Sequence, residues 1–325
     1  MRHRIGRREL MGMLASACSV WPYASHAQQI RRLGVLLYSS PEGDANFRSL
    51  RRALADLGYV EGKNLVLEIR AAQGQPERLP ILAADLVRAN PEVIFSLGGD
   101  VTIPVAQATR TIPIVFAASA DPVAQGLVAS LARPGGNATG VTFLSDDLAS
   151  KRLEILKEAV PAVRHVAVVW DPNHPDNELR EAERAAAPLG VQVSRLPLRS
   201  ANELDKALRA AAEQKTESLY VVSSRLTTRL IKNIVDFAAK SRLPLIGGWG
   251  AWAQTGALLS FGPNLDEMVR RAVTYVDQIF KGSKPADLPV QQPSRFELTV
   301  NLKTAKALGF EIAQSLVVRA DVVIE

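Results

Sequence analysis

The sequence predicts two α/β units, each a doubly wound and mainly parallel sheet. Three observations carry that expectation. Short apolar runs alternate with segments of helical period, turn residues separate them, and the series starts again half-way along the chain.

Residues 33–38 are apolar almost throughout and end at Ser39-Ser40-Pro41, the pattern of a strand buried on both faces. Leu50, Ala53, Leu54 and Leu57 recur at i, i+3, i+4 and i+7, which marks an amphipathic helix, and Gly58 ends it. A strand over 65–69 follows, then a helix carrying Leu79, Leu82, Ala83 and Leu86, and a strand over 93–97 that closes on Gly98-Gly99. A fourth strand is expected over 112–116. Strands and helices at this spacing imply right-handed βαβ crossovers.

The second series begins with a strand over 165–170 and a helix that runs to Leu189 and Gly190. It continues with a strand over 191–196, a helix carrying Leu204, Leu208 and Ala211, and a strand over 219–222. A helix with Ile231, Ile234, Val235 and Ala238 precedes the last strand, over 244–247. The first three strands start near 33, 65 and 93 in one half and near 165, 191 and 219 in the other. An internal duplication gives such spacing, and βαβ geometry alone gives it as well.

Passages between the halves are expected where Gly and Pro gather: 133–137 leading into 141–143, 256–262, and 284–293 after a helix over 265–280. The predicted division is residues 28–143 plus 261–286 for one lobe and 144–260 plus 287–325 for the other, joined by a hinge of three crossings.

Residues 1–27 read as an export signal. Arg2, Arg4, Arg7 and Arg8 precede an apolar run over 10–21, and Ser25-His26-Ala27 offers small residues at a cleavage site. The run is shorter than the roughly 18 residues that span a bilayer. Arg7-Arg8 approaches a twin-arginine signal, and Cys18 leaves lipidation as a minor alternative. The expected location is the periplasm.

Cleavage there removes Cys18, the sole cysteine, and leaves His165 and His174 as the only histidines. No thiol nucleophile, disulfide or Cys-based zinc site is then available, and two histidines nine residues apart lack the i, i+4 spacing of a helical metal pair. His165 begins a strand and His174 falls in a Pro-rich turn, so both read as structural. The signal carries four arginines against Glu9, which leaves the rest of the chain about half of the formal net charge of +6. Its basic residues form no patch interleaved with aromatics, so no nucleic-acid partner is expected.

No G-x-S-x-G elbow, phosphate-binding P-loop or dinucleotide fingerprint occurs. Asp146-Asp147 reads as helix capping. The expectation is a non-enzyme without cofactor or metal. Ligands of doubly wound sheets bind beyond the carboxyl ends of the strands. Strand ends give Tyr38, Ser39, Ser40, Gly98, Gly99, Asp100, Ser119 and Asp121 in the first half, and Asp171, Asn173, Ser223, Ser224, Gly248 and Trp249 in the second. Hydroxyls, backbone amides and aromatics of this kind hold small polar ligands, with Trp249 or Tyr38 able to stack. For single members the alternatives are local: capping for Ser39 and Ser40, a turn for Gly98-Gly99 and for Asp121-Pro122.

Gly58-Tyr59-Val60-Glu61-Gly62-Lys63-Asn64, Asp121-Pro122-Val123, the run from Arg133-Pro134-Gly135-Gly136-Asn137 to Thr142, and Phe296-Glu297-Leu298-Thr299-Val300-Asn301 with the Leu302 to Gly309 stretch behind it resemble the ABC transporter substrate-binding family that includes aromatic amino-acid binders. The resemblance spans nearly the whole chain. It implies a type I periplasmic binding fold, a small ligand closed between two lobes, and delivery to an ABC permease driven by a separate ATPase, with the protein acting as a monomer. It also places the cleft at Ser39, Ser40, Gly98, Gly99, Ser119, Asp121, Asn173, Ser223 and Ser224. Asp100 departs from the small residue expected after the glycine pair, so an amino group suits that point better than a carboxylate. A periplasmic sensor that presents its liganded shape to a receptor is the alternative function.

Overall fold

The computed structural model describes residues 30–174 and 177–325. The expected export signal, with Cys18, lies outside the described residues.

The first unit runs β1 (Arg31–Leu37), α1 (Ala45–Asp56), β2 (Leu65–Ala71), α2 (Leu79–Arg88), β3 (Val93–Leu97), α3 (Gly99–Ala108), β4 (Ile114–Ala118) and β5 (Ala138–Thr142). Its strands lie in the order β2-β1-β3-β4-β5, every neighbouring pair parallel. Alternation along β1 divides the core between two faces. Leu33, Val35 and Leu37 pack with Phe47, Leu50 and Leu54 of α1, whereas Leu36 packs with Leu79 and Leu86 of α2 and Val101 of α3.

The second unit runs α4 (Ala149–Ala159), β6 (His165–Trp170), α5 (Glu178–Ala186), β7 (Gln192–Pro197), α6 (Leu204–Glu213), β8 (Ser218–Val221), α7 (Arg225–Lys240), β9 (Leu245–Gly247), α8 (Gly250–Thr255) and β10 (Leu259–Gly262). The chain ends with α9 (Leu265–Phe280), β11 (Glu297–Asn301), α10 (Leu302–Leu308), α11 (Gln314–Arg319) and β12 (Val322–Ile324). This sheet reads β12-β11-β10-β9-β8-β6-β7, and only the β10–β11 pair is antiparallel. Taken from the other edge, β7-β6-β8-β9-β10 repeats the order of the first sheet. The strand spacing seen in the sequence thus corresponds to one topology used twice.

The chain passes between the units three times. After β5, residues 143–148 lead to α4, which packs on α5, β9 and β10. After β10, Pro263 and Asn264 lead to α9, which packs on α1 and on β3, β4 and β5. Asn264 caps α9 by accepting from Glu267 N at 3.1 Å. Residues 285–291 stay on the first sheet, where Thr139 Oγ1 donates to Leu288 O at 2.6 Å and Val141 bridges Gln291. Residues 292–296 then return the chain to β11. Phe261 and Gly262, placed with the first lobe by the sequence, pair here with Leu298 and Glu297 in the second sheet, because the antiparallel ladder to β11 extends to the end of β10. Residues 287–291, placed with the second lobe, are held on the first by Thr139 and Val141.

Asp146 differs from its expected role as a helix cap. It lies in a 3-10 turn over Ser145–Leu148, and its carboxylate accepts from Asn177 N at 3.0 Å, which joins the first crossing to the start of α5.

Candidate functional site

The strand order reverses beside β1 in one sheet and beside β6 in the other, so the crevice beyond these strand ends is where a doubly wound sheet receives a ligand. The two rims face each other across the interface. β3 gives Gly98 and β4 gives Ser119; β6 leads to His174, β8 to Ser223 and Ser224, and β9 to Trp249. Gly98 has φ +101°, a conformation that favours glycine, and it starts α3 without a side-chain cap.

An inner chamber of about 10 Å³, space for about one water, lies between the rims. Gly98, Ser119, Ser223, Ser224 and Trp249 line it, together with Phe143 of the first crossing and Met268 of α9. Trp249 is 6% exposed and meets Phe143 edge to face with ring centroids 5.1 Å apart. Arg225, Trp249 and Leu265 also border an outer cavity of about 620 Å³, whose walls include Ser39, Ser40, Gln73, Arg229 and Trp252. Those three residues stand between the chamber and the larger space.

Contacts across the interface hold the lobes together. Ser119 Oγ and His174 Nε2 are 3.0 Å apart, and Arg229 Nη1 donates to Gly74 O at 3.3 Å.

The remaining residues singled out in the sequence line neither cavity. Tyr38 is 5% exposed and packs in the apolar layer formed with α2 and α3. Burial, reinforced by the charges of Asp100 and Asp171, pushes its phenol up to about 12. Gly99 begins the first turn of α3, and Asp100 Oδ1 accepts from Val101 N at 3.2 Å. Asp121 Oδ1 closes a turn by accepting from Val123 N at 2.8 Å and from Ala124 N at 3.3 Å. Asn173 N donates to Asp171 Oδ1 at 2.9 Å, and burial raises the Asp171 carboxyl above its ordinary value. Gly248 approaches the chain so closely that a Cβ on it would fall 2.3 Å from Ser223 Oγ.

Capping is settled differently at the two serine pairs. Asp44, not Ser39 or Ser40, caps α1, accepting from Asn46 N and Phe47 N. Ser224 does cap α7, in a reciprocal box with Thr227. Ser223 Oγ beside it is buried without a hydrogen-bond partner.

His174, Arg225 and Arg229 escaped the sequence reading. His174 reads as a turn residue in the chain, and its position is set by Ser119, 55 residues away. A cation on a helix face ordinarily reads as solvated surface.

Beneath the second rim, Arg152 of α4 is fully buried. Its Nε donates to Phe261 O at 2.8 Å, and its Nη1 meets Glu178, which also accepts from Tyr220 OH at 2.6 Å and from Ser145 Oγ. Burial alone would lower the Arg152 pKa, but Glu178 and Tyr220 outweigh it and hold the guanidinium charged; burial, then the charge of Glu178, raises the Tyr220 phenol. Among the described residues, no group of three or more His, Cys, Asp or Glu could hold a metal ion, and no helix is long and apolar enough to cross a membrane.

The family model for ABC transporter substrate binding proteins matches residues 35–324. The chain belongs to this family. The substrate-binding protein is 25% identical over 278 residues to a tyrosine-binding protein of Clostridioides difficile, covering 85% of this chain and 79% of that one. A conserved domain protein from Vibrio cholerae has 28% identity and a TM-score of 0.84, over 91% of this chain and all of that one. The ABC domain from Streptococcus pneumoniae, solved in complex with L-Trp, has 24% identity and a TM-score of 0.83, over 90% of this chain and 99% of its own. The fold of the substrate-binding protein is that of the type I periplasmic binding proteins, two α/β lobes with largely parallel sheets, as the resemblance implied. Its family is one of solute-binding proteins, not of enzymes.

Proposed function

We propose that this substrate-binding protein works outside the cytoplasm, closes on a small amino-acid-like solute with an apolar or aromatic side chain, and delivers it to a membrane permease driven by a separate ATPase. The observation that carries this reading is the cleft itself. Both lobes contribute strand ends to one chamber, and the Ser119–His174 bond spans it. A lining of Phe143, Trp249 and Met268 edged by Gly98, Ser119, Ser223 and Ser224 has the chemistry to receive an apolar group attached to a polar head once the lobes part to make room for it. The relatives named for tyrosine and solved with L-Trp support the same cargo class.

In this reading the three passages between the lobes act as the hinge. Opening separates Ser119 from His174 and admits the solute through the outer cavity; closure is favoured because the solute contacts both rims only in the closed state. Ser39, Ser40, Gly98, Ser119, Ser223, Ser224 and Trp249 make up the binding surface.

A thermal-shift screen against amino acids, aromatic acids, sugars and nucleosides tests it. A ligand at 100 times its Kd adds about 2.7 kcal/mol of stability. Stabilisation confined to amino acids is expected; stabilisation by sugars or nucleosides alone rejects the cargo class.

A further inference from the structure

Arg225 stands at the first position of α7 and Arg229 one turn later. Arg225 borders both the inner chamber and the outer cavity, and Arg229 borders the outer cavity. This is an unfavourable place for cations, because the amino end of a 16-residue helix carries partial positive charge and the first turn of α7 has no acidic residue to offset it. Neither guanidinium forms an ion pair with a carboxylate among the described residues. The leading N–H groups of the helix, those of Arg225 and Leu226, have no acceptor within it. Immediately before the cap, Ser223 Oγ is 2% exposed, borders the chamber and lacks a hydrogen-bond partner. The Arg225 guanidinium and the orphaned Ser223 hydroxyl thus border one end of the chamber at the start of α7, with Arg229 one turn further out on the outer cavity.

The helix start on the opposite rim has the reverse character. α3 carries Asp100 in its first turn, which repels an anion. Gly98 keeps the space between the two helix starts open: a Cβ there would lie 2.6 Å from Asp100 Oδ1 and 3.3 Å from Arg225 Nε.

We propose that the second lobe holds the carboxylate of the cargo, with Ser223 Oγ, the first amides of α7 and the Arg225 guanidinium as donors and Arg229 as the charge that draws it in from the outer cavity. This deepens the solute-binding reading and rests on it. A phosphate group would use the same donors, so the test separates the two.

The test is calorimetric titration of the purified chain and of its Arg225→Gln and Arg225→Lys variants. The probes are L-tryptophan and L-tyrosine, their decarboxylated amines tryptamine and tyramine, a panel of other carboxylic acids with neutral counterparts, and inorganic phosphate. The wild-type chain is expected to bind a carboxylate ligand at least about tenfold more tightly than its counterpart without the carboxylate. Arg225→Gln erases that difference without moving the melting temperature of the unliganded protein, and Arg225→Lys restores part of it. The subsite is overturned if Arg225→Gln keeps carboxylate affinity within about threefold of wild type, or weakens acid and amine equally. It is also overturned if the wild-type chain prefers amines, neutral solutes or inorganic phosphate, results that leave a solute-binding protein standing with a different cargo. Arg225-dependent binding of a carboxylate that is not an amino acid upholds the subsite and rejects the amino-acid reading. A chain that binds nothing in the panel rejects both.

Discussion

Ser119 Oγ, at the carboxyl end of β4 in the first lobe, lies 3.0 Å from His174 Nε2, on the loop after β6 in the second. Both residues are buried, and the bond exists only while the lobes are together. A hydrogen bond of this kind is worth about 1 kcal/mol net. Ser119→Ala should therefore shift the unliganded protein about fivefold toward open conformations. Small-angle X-ray scattering reads this as a larger radius of gyration than wild type without ligand; equal radii would show that the bond does not govern closure.

Arg152 and Glu178 form a buried ion pair that touches the first interlobe passage through Ser145 and strand β10, just ahead of the second passage, through Phe261. Removing one partner leaves an uncompensated buried charge. Glu178→Gln is expected to cost about 3–5 kcal/mol in urea unfolding. Replacing both partners by apolar residues of similar volume should cost clearly less than that single change, because no stranded charge remains.

Two glycines are required by close backbone approach. A Cβ on Gly262 would lie 1.9 Å from Gly248 O, and one on Gly140 would lie 2.0 Å from Phe116 O. Neither neighbour is a flexible side chain that can yield, so either alanine variant forces strands apart. A loss of more than about 2 kcal/mol in chemical denaturation is expected for each, and a neutral result would contradict the strand packing described.

Asp171 makes stability depend on pH. Burial raises its carboxyl above the ordinary 3.8, so the folded protein holds that proton more firmly than the unfolded chain does. The favourable contribution is complete below the unfolded value and is lost as pH rises through the folded value. Asp171→Asn keeps an oxygen to accept from Asn173 N and removes the loss. The variant should melt above wild type at neutral pH, and the gap should close toward about pH 3. A gap that widens in acid would reverse the assignment.

Much of the architecture is legible in the chain. The helix expected over 265–280 is the observed Leu265–Phe280, because Met268, Val269, Ala272, Val273 and Val276 keep helical spacing along one buried face. Strands β3 and β6 likewise fall on the predicted runs. The crossings were displaced by a few residues, since the end of β10 is decided by its pairing with β11 and the stretch before Gln291 by Thr139 and Val141. Strand-end reasoning reached Gly98, Ser119, Ser223, Ser224 and Trp249 of the inner chamber. It also reached Tyr38, Asp121 and Asn173, which the fold places in a core and in turns. Strand ends reveal which loops reach a crevice. Which side chains of those loops turn toward it depends on contacts they make elsewhere.

Apolar period and turn chemistry along the chain determine the βαβ units, their repetition and the absence of recognisable catalytic motifs, because each depends on residues near one another in sequence. Tertiary structure alone decides which charges meet. His174 reaches Ser119, Arg152 is enclosed with Glu178, and Arg225 faces the rim beside Asp100 only after two sheets have formed and three passages have set the lobes against each other. Electrostatic and hydrogen-bond partners are fixed by distances of a few ångströms in space, and those distances carry no period that a sequence can display.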